Sequence, residues 1–94
     1  MNLKIVYLKK ADKFFLKNSS ILSEEKTDQL LIKAAKKILL NEDVNIDVKS
    51  LKGSLKHLYR IRQHKIRILF EIYNGEVIVE LIVEDIDFRG DVYK

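Results

Sequence analysis

The sequence predicts an α+β domain of two layers, in which an N-terminal strand and a two-helix hairpin pack on an antiparallel β-meander. Apolar residues recur at helical spacing between residues 10 and 40, whereas beyond residue 58 they alternate with polar residues as in half-exposed strands. This change of period separates a helical half from a β half, which is typical of α+β folds. A chain of 94 residues has room for one core, so we assign residues 1–94 to a single domain.

The first half contains one strand and two helices. The β-branched run over 3–8 predicts the strand. Residues 10–18 predict a short helix, because Ala11, Phe14 and Phe15 have helical spacing. Ser23 is a candidate N-cap for a second helix that extends to about Leu40, since two glutamates follow it where the helix dipole favours anions. The apolar stripe of this helix consists of Leu30, Leu31, Ala34, Ala35 and Ile38. We interpret residues 41–47 as a polar connector.

The second half predicts three strands, over 58–63, 66–73 and 76–84. A tight turn near His64 and Lys65 joins the first two strands. Asn74-Gly75 predicts a two-residue hairpin turn between the second and the third, since both residues tolerate positive φ. Alternation then places one set of apolar side chains toward the helices, namely Ile61, Ile66, Ile68, Phe70, Ile72, Val77, Val79, Leu81 and Val83.

Charge is segregated along the sequence. Residues 49–67 hold seven cations and no acid, whereas residues 68–87 hold six acids and no cation. Three of the four arginines are Arg60, Arg62 and Arg67, at positions predicted to share the sheet face opposite the helices. Guanidinium groups bind phosphate through a planar, bidentate fork, which indicates a phosphate-binding patch. Pairing of these cations with acids of the neighbouring strands, such as Glu71 and Glu80, is the alternative, and composition alone does not choose between them.

Composition excludes several classes of function. The absence of cysteine removes disulfides, thiolate zinc sites and a cysteine nucleophile, and is consistent with a cytoplasmic protein. His57 and His64 lie in or beside turns and lack the companions of a zinc site, so we expect no metal and no cofactor. No apolar run approaches the roughly 20 residues that span a bilayer, and the N-terminus lacks the pattern of a signal peptide, so we expect no membrane partner.

Several segments in the second half resemble one known family when taken in order. They are Leu51-Lys52-Gly53, Leu58-Tyr59-Arg60-Ile61-Arg62, Ile66-Arg67-Ile68-Leu69-Phe70-Glu71-Ile72, the Asn-Gly turn and Arg89-Gly90-Asp91-Val92-Tyr93. Together they are similar to the RelE/ParE superfamily of toxins from toxin–antitoxin modules, and the closing segment is similar to the RelE branch. The resemblance implies a β-α-α-β-meander fold with the first strand beside the last. RelE-like members cut messenger RNA in the ribosome, whereas ParE-like members poison DNA gyrase.

The resemblance also implies candidate site residues. Arg60 and Arg62 correspond to paired basic residues on one strand of RelE-like enzymes, and Arg67 corresponds to the arginine that opens the next strand. Tyr93 matches a C-terminal tyrosine, and Arg89 matches the arginine four residues before it. Two positions depart from the pattern. Many relatives have His immediately before that arginine, where this chain has Phe88, and others have Arg one position earlier, where this chain has Asp87.

RNA cleavage without a metal uses the 2′-hydroxyl as nucleophile and needs charge stabilisation and proton transfer. The three strand arginines are candidates for holding the phosphate and stabilising its charge. Arginine transfers protons poorly because its pKa exceeds about 12, so Tyr93 is the candidate base, or stacks on a splayed nucleobase. A chain-end tyrosine without a role is the alternative. Candidate RNA-backbone contacts are Lys49, Lys52, Lys56 and Lys65.

The leading hypothesis is therefore a ribosome-dependent mRNA endonuclease that blocks translation and needs no cofactor. The resemblance implies a cognate antitoxin as partner, together with the ribosome and mRNA. We expect the antitoxin to be acidic, with a segment that folds onto the basic surface. Two alternatives remain open: a ParE-like inhibitor of DNA gyrase, and a catalytically weak relative that only binds its antitoxin.

Overall fold

Two helices and a five-stranded mixed sheet form the fold, which is known from a computed structural model. The structure describes residues 2–53, 57–75 and 78–88. In chain order the elements are β1 (Leu3–Tyr7), α1 (Lys9–Asn18), α2 (Glu24–Leu39), β2 (Asp47–Ser50), β3 (Tyr59–Gln63), β4 (Ile66–Asn74) and β5 (Val79–Phe88). The strand order is β1-β5-β4-β3-β2, with β1 parallel to β5 and the other pairs antiparallel. The predicted α+β class and the position of the first strand beside the last are confirmed.

Both predicted helices are confirmed within a residue at their ends. The Ser23 hydroxyl accepts the backbone N–H of Lys26 at 3.1 Å, so Ser23 caps α2 as expected. The predicted stripe of α2 faces the core, together with Thr27, which the apolar pattern did not include. Helix α1 buries Ala11 and Phe14 against β5. Among the described residues no helix has the length and apolarity needed to cross a membrane.

The core lies between the helices and one face of the sheet. Its fully buried strand residues are Ile61, Ile68, Phe70, Leu81 and Val83. These side chains belong to the alternating set that the sequence predicts for the helix-facing side. Val77, a member of that predicted set, lies outside the described residues.

The sequence does not predict strand β2 (Asp47–Ser50), because its pattern indicates a polar connector over residues 41–47 and no element over residues 48–50. Only Val48 is half-buried in this edge strand, and its other side chains are exposed. A strand without a buried face carries no alternating apolar pattern, which is why the sequence does not indicate it. Its position is fixed by backbone pairing with β3, which aligns Asp47 with Arg62.

The first hairpin turn is confirmed, because His64 and Lys65 connect the paired residues Gln63 and Ile66. The prediction that Asn74-Gly75 forms the second turn is wrong. Asn74 pairs with Val79 in the sheet, and the Gly75 N–H donates to the Ile78 carbonyl at 3.1 Å. Both registers place the same side chains on the core face, so alternation does not distinguish them. Residue 75 must be glycine because the backbone of Ile78 approaches it closely: a Cβ at residue 75 would lie 2.8 Å from the Ile78 carbonyl oxygen.

Strand β5 contains a β-bulge and extends beyond its predicted end at residue 84. Leu69 pairs with Asp85 and Phe70 pairs with Val83, so Glu84 is an extra residue on β5. The bulge reverses the alternation: Val83 and Ile86, three residues apart, are both buried on the core side. Asp85 and Asp87 therefore share the opposite face of the sheet with their partners on β4.

Candidate functional site

The sheet face opposite the core, called here the arginine face, carries the three predicted arginines. Paired residues of antiparallel strands point to the same side, so Arg62 on β3 and Arg67 on β4 are direct neighbours. Arg60 lies two residues from Arg62 and shares this face. One row across β2, β3, β4 and β5 consists of Asp47, Arg62, Arg67 and Asp87, and the next consists of Lys49, Arg60, Leu69 and Asp85. The predicted convergence of the arginines on one side of the sheet agrees with this register.

Arg67 forms a two-pronged ion pair with Asp87. Its Nε lies 3.2 Å from Asp87 Oδ1 and its Nη2 lies 2.9 Å from Asp87 Oδ2. The arginine side chain is 25% exposed and the aspartate 34%, so both groups keep contact with solvent. A bidentate pair fixes the plane of the guanidinium and cancels most of its charge. A phosphate reaching Arg67 must therefore compete with Asp87 for its donors.

Arg60 is buried, which differs from the expectation that all three arginines face solvent. Its side chain is 8% exposed, and Nη1 lies 3.8 Å from Asp47 Oδ1. A buried guanidinium is stable only when carboxylates or other acceptors surround it, so Arg60 is fixed in place by the fold. Because the Arg60 side chain is buried, it is better suited to holding neighbouring side chains of the arginine face in position than to binding a phosphate from solvent.

The remaining basic candidates differ in exposure and position. Arg62 is exposed, and Lys49 is exposed on β2 directly opposite Arg60. Lys65 is exposed in the β3–β4 turn, and Lys52 is exposed after β2. The predictions for Lys56, Arg89 and Tyr93 lie outside the described residues. Within the described part of the chain, the accessible cations on the arginine face are therefore those of the Arg62 row and Lys49.

A group of titratable side chains beside the arginine face was missed by sequence reasoning. His57 Nε2 lies 3.6 Å from Glu71 Oε1, and Glu84 at the bulge is close to Glu71. Burial raises the pKa of the Glu84 carboxyl, and the charge of Glu71 and its hydrogen bond with Glu84 raise that pKa further, against the weaker influence of His57 and Lys10. No sequence signal indicated this group, since the bulge that brings Glu84 to it leaves no pattern of its own.

The predicted ion pairs of the arginines with Glu71 and Glu80 are replaced by others in the structure. Glu80 contacts Lys4 at 3.8 Å, Glu71 contacts His57, Arg60 contacts Asp47 and Arg67 contacts Asp87. In the described ranges, no three His, Asp or Glu side chains are grouped so that they could hold a metal ion.

Comparison with solved structures identifies the fold. The structure is similar to a YoeB/ParE toxin from Agrobacterium tumefaciens (TM-score 0.63, 21% identity), covering 94% of this chain and 98% of that one. It is also similar to the toxin–antitoxin complex YoeB-YefM from Staphylococcus aureus (TM-score 0.61, 17% identity, 94% and 98% coverage). A third similar structure is the RelB-RelE antitoxin–toxin complex from Methanococcus jannaschii (TM-score 0.51, 21% identity, 94% coverage of each chain).

The architecture is therefore that of small toxins from toxin–antitoxin modules. At this level of identity the likeness concerns the fold, and the predicted resemblance to the RelE/ParE superfamily is confirmed as a RelE/YoeB-like fold over nearly the whole chain. No protein-family model matches the sequence. No curated protein matches it either.

Proposed function

We propose that this chain is the toxin of a toxin–antitoxin module and that it arrests translation by cutting messenger RNA in the ribosome without a metal. The observation that carries the proposal is the arginine face, where exposed Arg62 stands beside Arg67 and near Lys49 on a sheet of toxin fold. Two similar structures are complexes with antitoxins, which supports a cognate antitoxin as partner of this chain. We assign its site of action to the cytoplasm, because the ribosomes of the proposed reaction are there.

The chemistry assigned to this face is transfer of a phosphoryl group within RNA. The 2′-hydroxyl oxygen attacks its own phosphorus, the bond to the 5′-oxygen breaks, and the products are a 2′,3′-cyclic phosphate and a 5′-hydroxyl. Arg62 and Arg67 hold the non-bridging oxygens and stabilise their growing charge, which is commonly the largest contribution to such catalysis. Arg67 exchanges Asp87 for phosphate in this step. In this proposal Tyr93 acts as the phenolate and takes the proton from the 2′-hydroxyl, then, as the phenol, gives a proton to the departing 5′-oxygen. Arg89 is assigned the role of the cation that favours the phenolate.

Other cations have supporting roles in this proposal. Lys49, Lys52, Lys56 and Lys65 contact the RNA backbone, and their contribution should fall with added salt as counterion release predicts. Arg60 is a positioning residue in this proposal: its buried guanidinium, near Asp47 and opposite Lys49, helps to fix the part of the arginine face beside Lys49.

One observation favours a second candidate, a catalytically weak relative that only binds its antitoxin. Asp87 accepts hydrogen bonds from Nε and Nη2 of Arg67, and Arg60 is buried near Asp47. Two of the three arginines thus have intramolecular carboxylates, which lowers the positive potential available to RNA. In this candidate the arginine face recognises acidic antitoxin side chains and performs no chemistry.

The test combines purified chain, ribosomes programmed with a defined mRNA, and primer extension to map new 5′ ends. We expect cleavage by the wild type and a loss of about 100-fold or more in rate for Arg62→Ala and Arg67→Ala. Lys33→Ala, which removes an exposed cation from α2, is the matched control and should cleave like the wild type. Asp87→Asn should cleave faster per folded molecule, because it frees the donors of Arg67.

The possible outcomes separate the candidates. In cells that express the chain, growth arrest with intact mRNA contradicts the nuclease proposal. Inhibition of DNA supercoiling in that case supports a ParE-like gyrase inhibitor. Absence of both toxicity and cleavage, with antitoxin binding retained, supports the weak relative.

A further inference from the structure

A cleft opens at one end of the core, on the helix side of the sheet. It has a volume of about 590 Å³ and lies between the α1–α2 turn, the start of α2, the β3–β4 turn and the end of β5. Its floor is apolar and its rim is basic: Leu22, Ile66 and Phe88 form the floor, Ile21 lies at the mouth, and Lys26 and Lys65 stand at the rim. We call it the turn cleft. Its volume lies within the roughly 300–1,000 Å³ typical of binding pockets.

The turn cleft is separate from the arginine face although both lie at the same end of the sheet. Ile66 pairs with Phe88 and the next residues, Arg67 and Asp87, pair with each other. Neighbouring residues on a strand point to opposite sides, so the first pair faces the cleft and the second faces away from it. A ligand in the cleft leaves the arginine face open while it contacts Phe88, the residue that adjoins Asp87.

Exposed apolar area at the cleft indicates a ligand with apolar side chains. Ile21 is 58% exposed, although Leu22 beside it and Ile66 across the cleft are almost completely buried. Single exposed apolar side chains are common on protein surfaces, and Ile21 differs from them because it extends the apolar lining of Leu22, Ile66 and Phe88 to the protein surface. A nucleobase would need aromatic platforms on which to stack, whereas the apolar lining here is aliphatic except for Phe88, so aliphatic side chains of a peptide fit it better.

Charge selects the kind of peptide. The charged side chains that line the cleft are Lys26 and Lys65, and none of the described lining residues is an acid. A second copy of this chain, which has a net charge of +4, would bring like charges together at this rim. An acidic segment with apolar residues satisfies both the rim and the floor.

We propose that the turn cleft docks an acidic, apolar peptide segment of a protein partner. One aliphatic or aromatic side chain of that segment fills the space between Ile21 and Phe88, and its flanking carboxylates pair with Lys26 and Lys65. The proposal rests on the proposed function only in taking the antitoxin as that partner. With the antitoxin as partner, one segment of the antitoxin binds on the side of the sheet opposite the arginines. Binding of that segment leaves the arginine face accessible to RNA.

The probe is a short synthetic peptide that alternates Leu and Glu, titrated into the ¹⁵N-labelled chain and followed by amide NMR shifts. We expect shifts at Ile21, Ile66 and Phe88 and smaller ones at Arg62. The double variant Lys26→Glu with Lys65→Glu should bind this peptide at least about tenfold more weakly, and should bind a Leu/Lys peptide more tightly than the wild type does. Lys33→Glu, on the same helix, is the charge-matched control and should bind as the wild type does.

Three results would overturn the docking site: equal binding of a Ser/Glu peptide, shifts confined to the arginine face, or displacement of the peptide by an RNA oligonucleotide. Arg62→Ala should retain peptide binding whether or not the wild type cleaves RNA. A chain that binds the peptide in the cleft but lacks nuclease activity therefore refutes the proposed function alone, and a chain that cleaves RNA without binding refutes this inference alone.

Discussion

Replacement of Asp87 by alanine should destabilise the fold more than loss of one exposed ion pair normally does. The Arg67–Asp87 pair is bidentate and only 25% and 34% exposed at its two side chains. Exposed pairs contribute about 0.2–1 kcal/mol, whereas breaking buried pairs costs about 3–5 kcal/mol. For a half-buried pair of good geometry we expect a coupling energy between the two residues of about 1–2 kcal/mol.

The neighbouring arginine adds a second cost to Asp87→Ala. Arg62 is directly opposite Arg67, and like charges in that position destabilise a sheet. The Asp87 carboxylate offsets the repulsion between Arg62 and Arg67. Asp87→Ala therefore leaves that repulsion without compensation, whereas Arg67→Ala removes the repulsion altogether. We therefore expect Asp87→Ala to lower the melting temperature by about 4–16 °C, at roughly 4–8 °C per kcal/mol for a domain of this size, and Arg67→Ala to lower it less.

Thermal unfolding of the two single variants and the double variant, followed by circular dichroism, gives the coupling energy directly. Sodium chloride at about 1 M, where the Debye length is near 3 Å, should restore part of the stability of Asp87→Ala and little of Arg67→Ala. Adding Arg62→Ala to Asp87→Ala should also recover stability. A coupling energy below about 0.3 kcal/mol, or a larger loss for Arg67→Ala than for Asp87→Ala, would refute this reasoning.

Three further variants test individual features of the fold. Ser23→Ala should cost about 1 kcal/mol, because it removes the cap of α2, whereas Ser20→Ala should change little; urea unfolding of both measures the difference. His64→Gly should stabilise the chain by about 0.5–1 kcal/mol, since His64 has a φ of 56°, a left-handed conformation costly for a residue with a Cβ; a midpoint below that of the wild type would contradict this. Glu84 binds its proton more tightly in the folded chain than at its ordinary pKa of 4.5, so its contribution to stability is complete below that pH and is lost as the pH rises toward the raised pKa. Glu84→Gln should therefore show a smaller decline in stability from pH 4.5 toward neutrality, and an unchanged pH profile would argue against a raised pKa.

The helices and the core strands were predictable because each buries one continuous apolar face. The stripe of α2 and the alternation around Ile68 and Phe70 follow from burial, and burial in turn follows from residue type. The edge strand at Asp47 and the second hairpin turn were not predictable in this way. Backbone pairing determines both, and pairing in another register would bury the same side chains.

The candidate site was predictable in its residues and less so in its environment. Alternation placed Arg60, Arg62 and Arg67 on one face, as the register has them. The ion-pair partners of Arg60 and Arg67 are carboxylates brought from β2 and β5, at separations of 13 and 20 residues in the chain. Such contacts depend on strand order and on a bulge, and neither has a local signature in the sequence.

Deletion of Glu84 tests whether the bulge residue itself is needed to bring Asp87 to Arg67. Val83 faces the core and Glu84 is the extra residue, so the deletion joins Val83 to Asp85 and restores regular alternation, with Ile86 in the core and Asp85 and Asp87 on the arginine face. The pairing of Arg67 with Asp87 is therefore retained, and the deletion removes only the local twist of the bulge and the Glu84 carboxyl beside Glu71. We expect the deletion variant to keep a cooperative urea transition and to lose at most about 3 kcal/mol of stability, and Glu84→Ala, which keeps the extra residue, should also unfold cooperatively. A deletion variant that loses its cooperative transition would contradict this register, because it would mean that regular alternation does not keep Ile86 in the core and Asp87 beside Arg67.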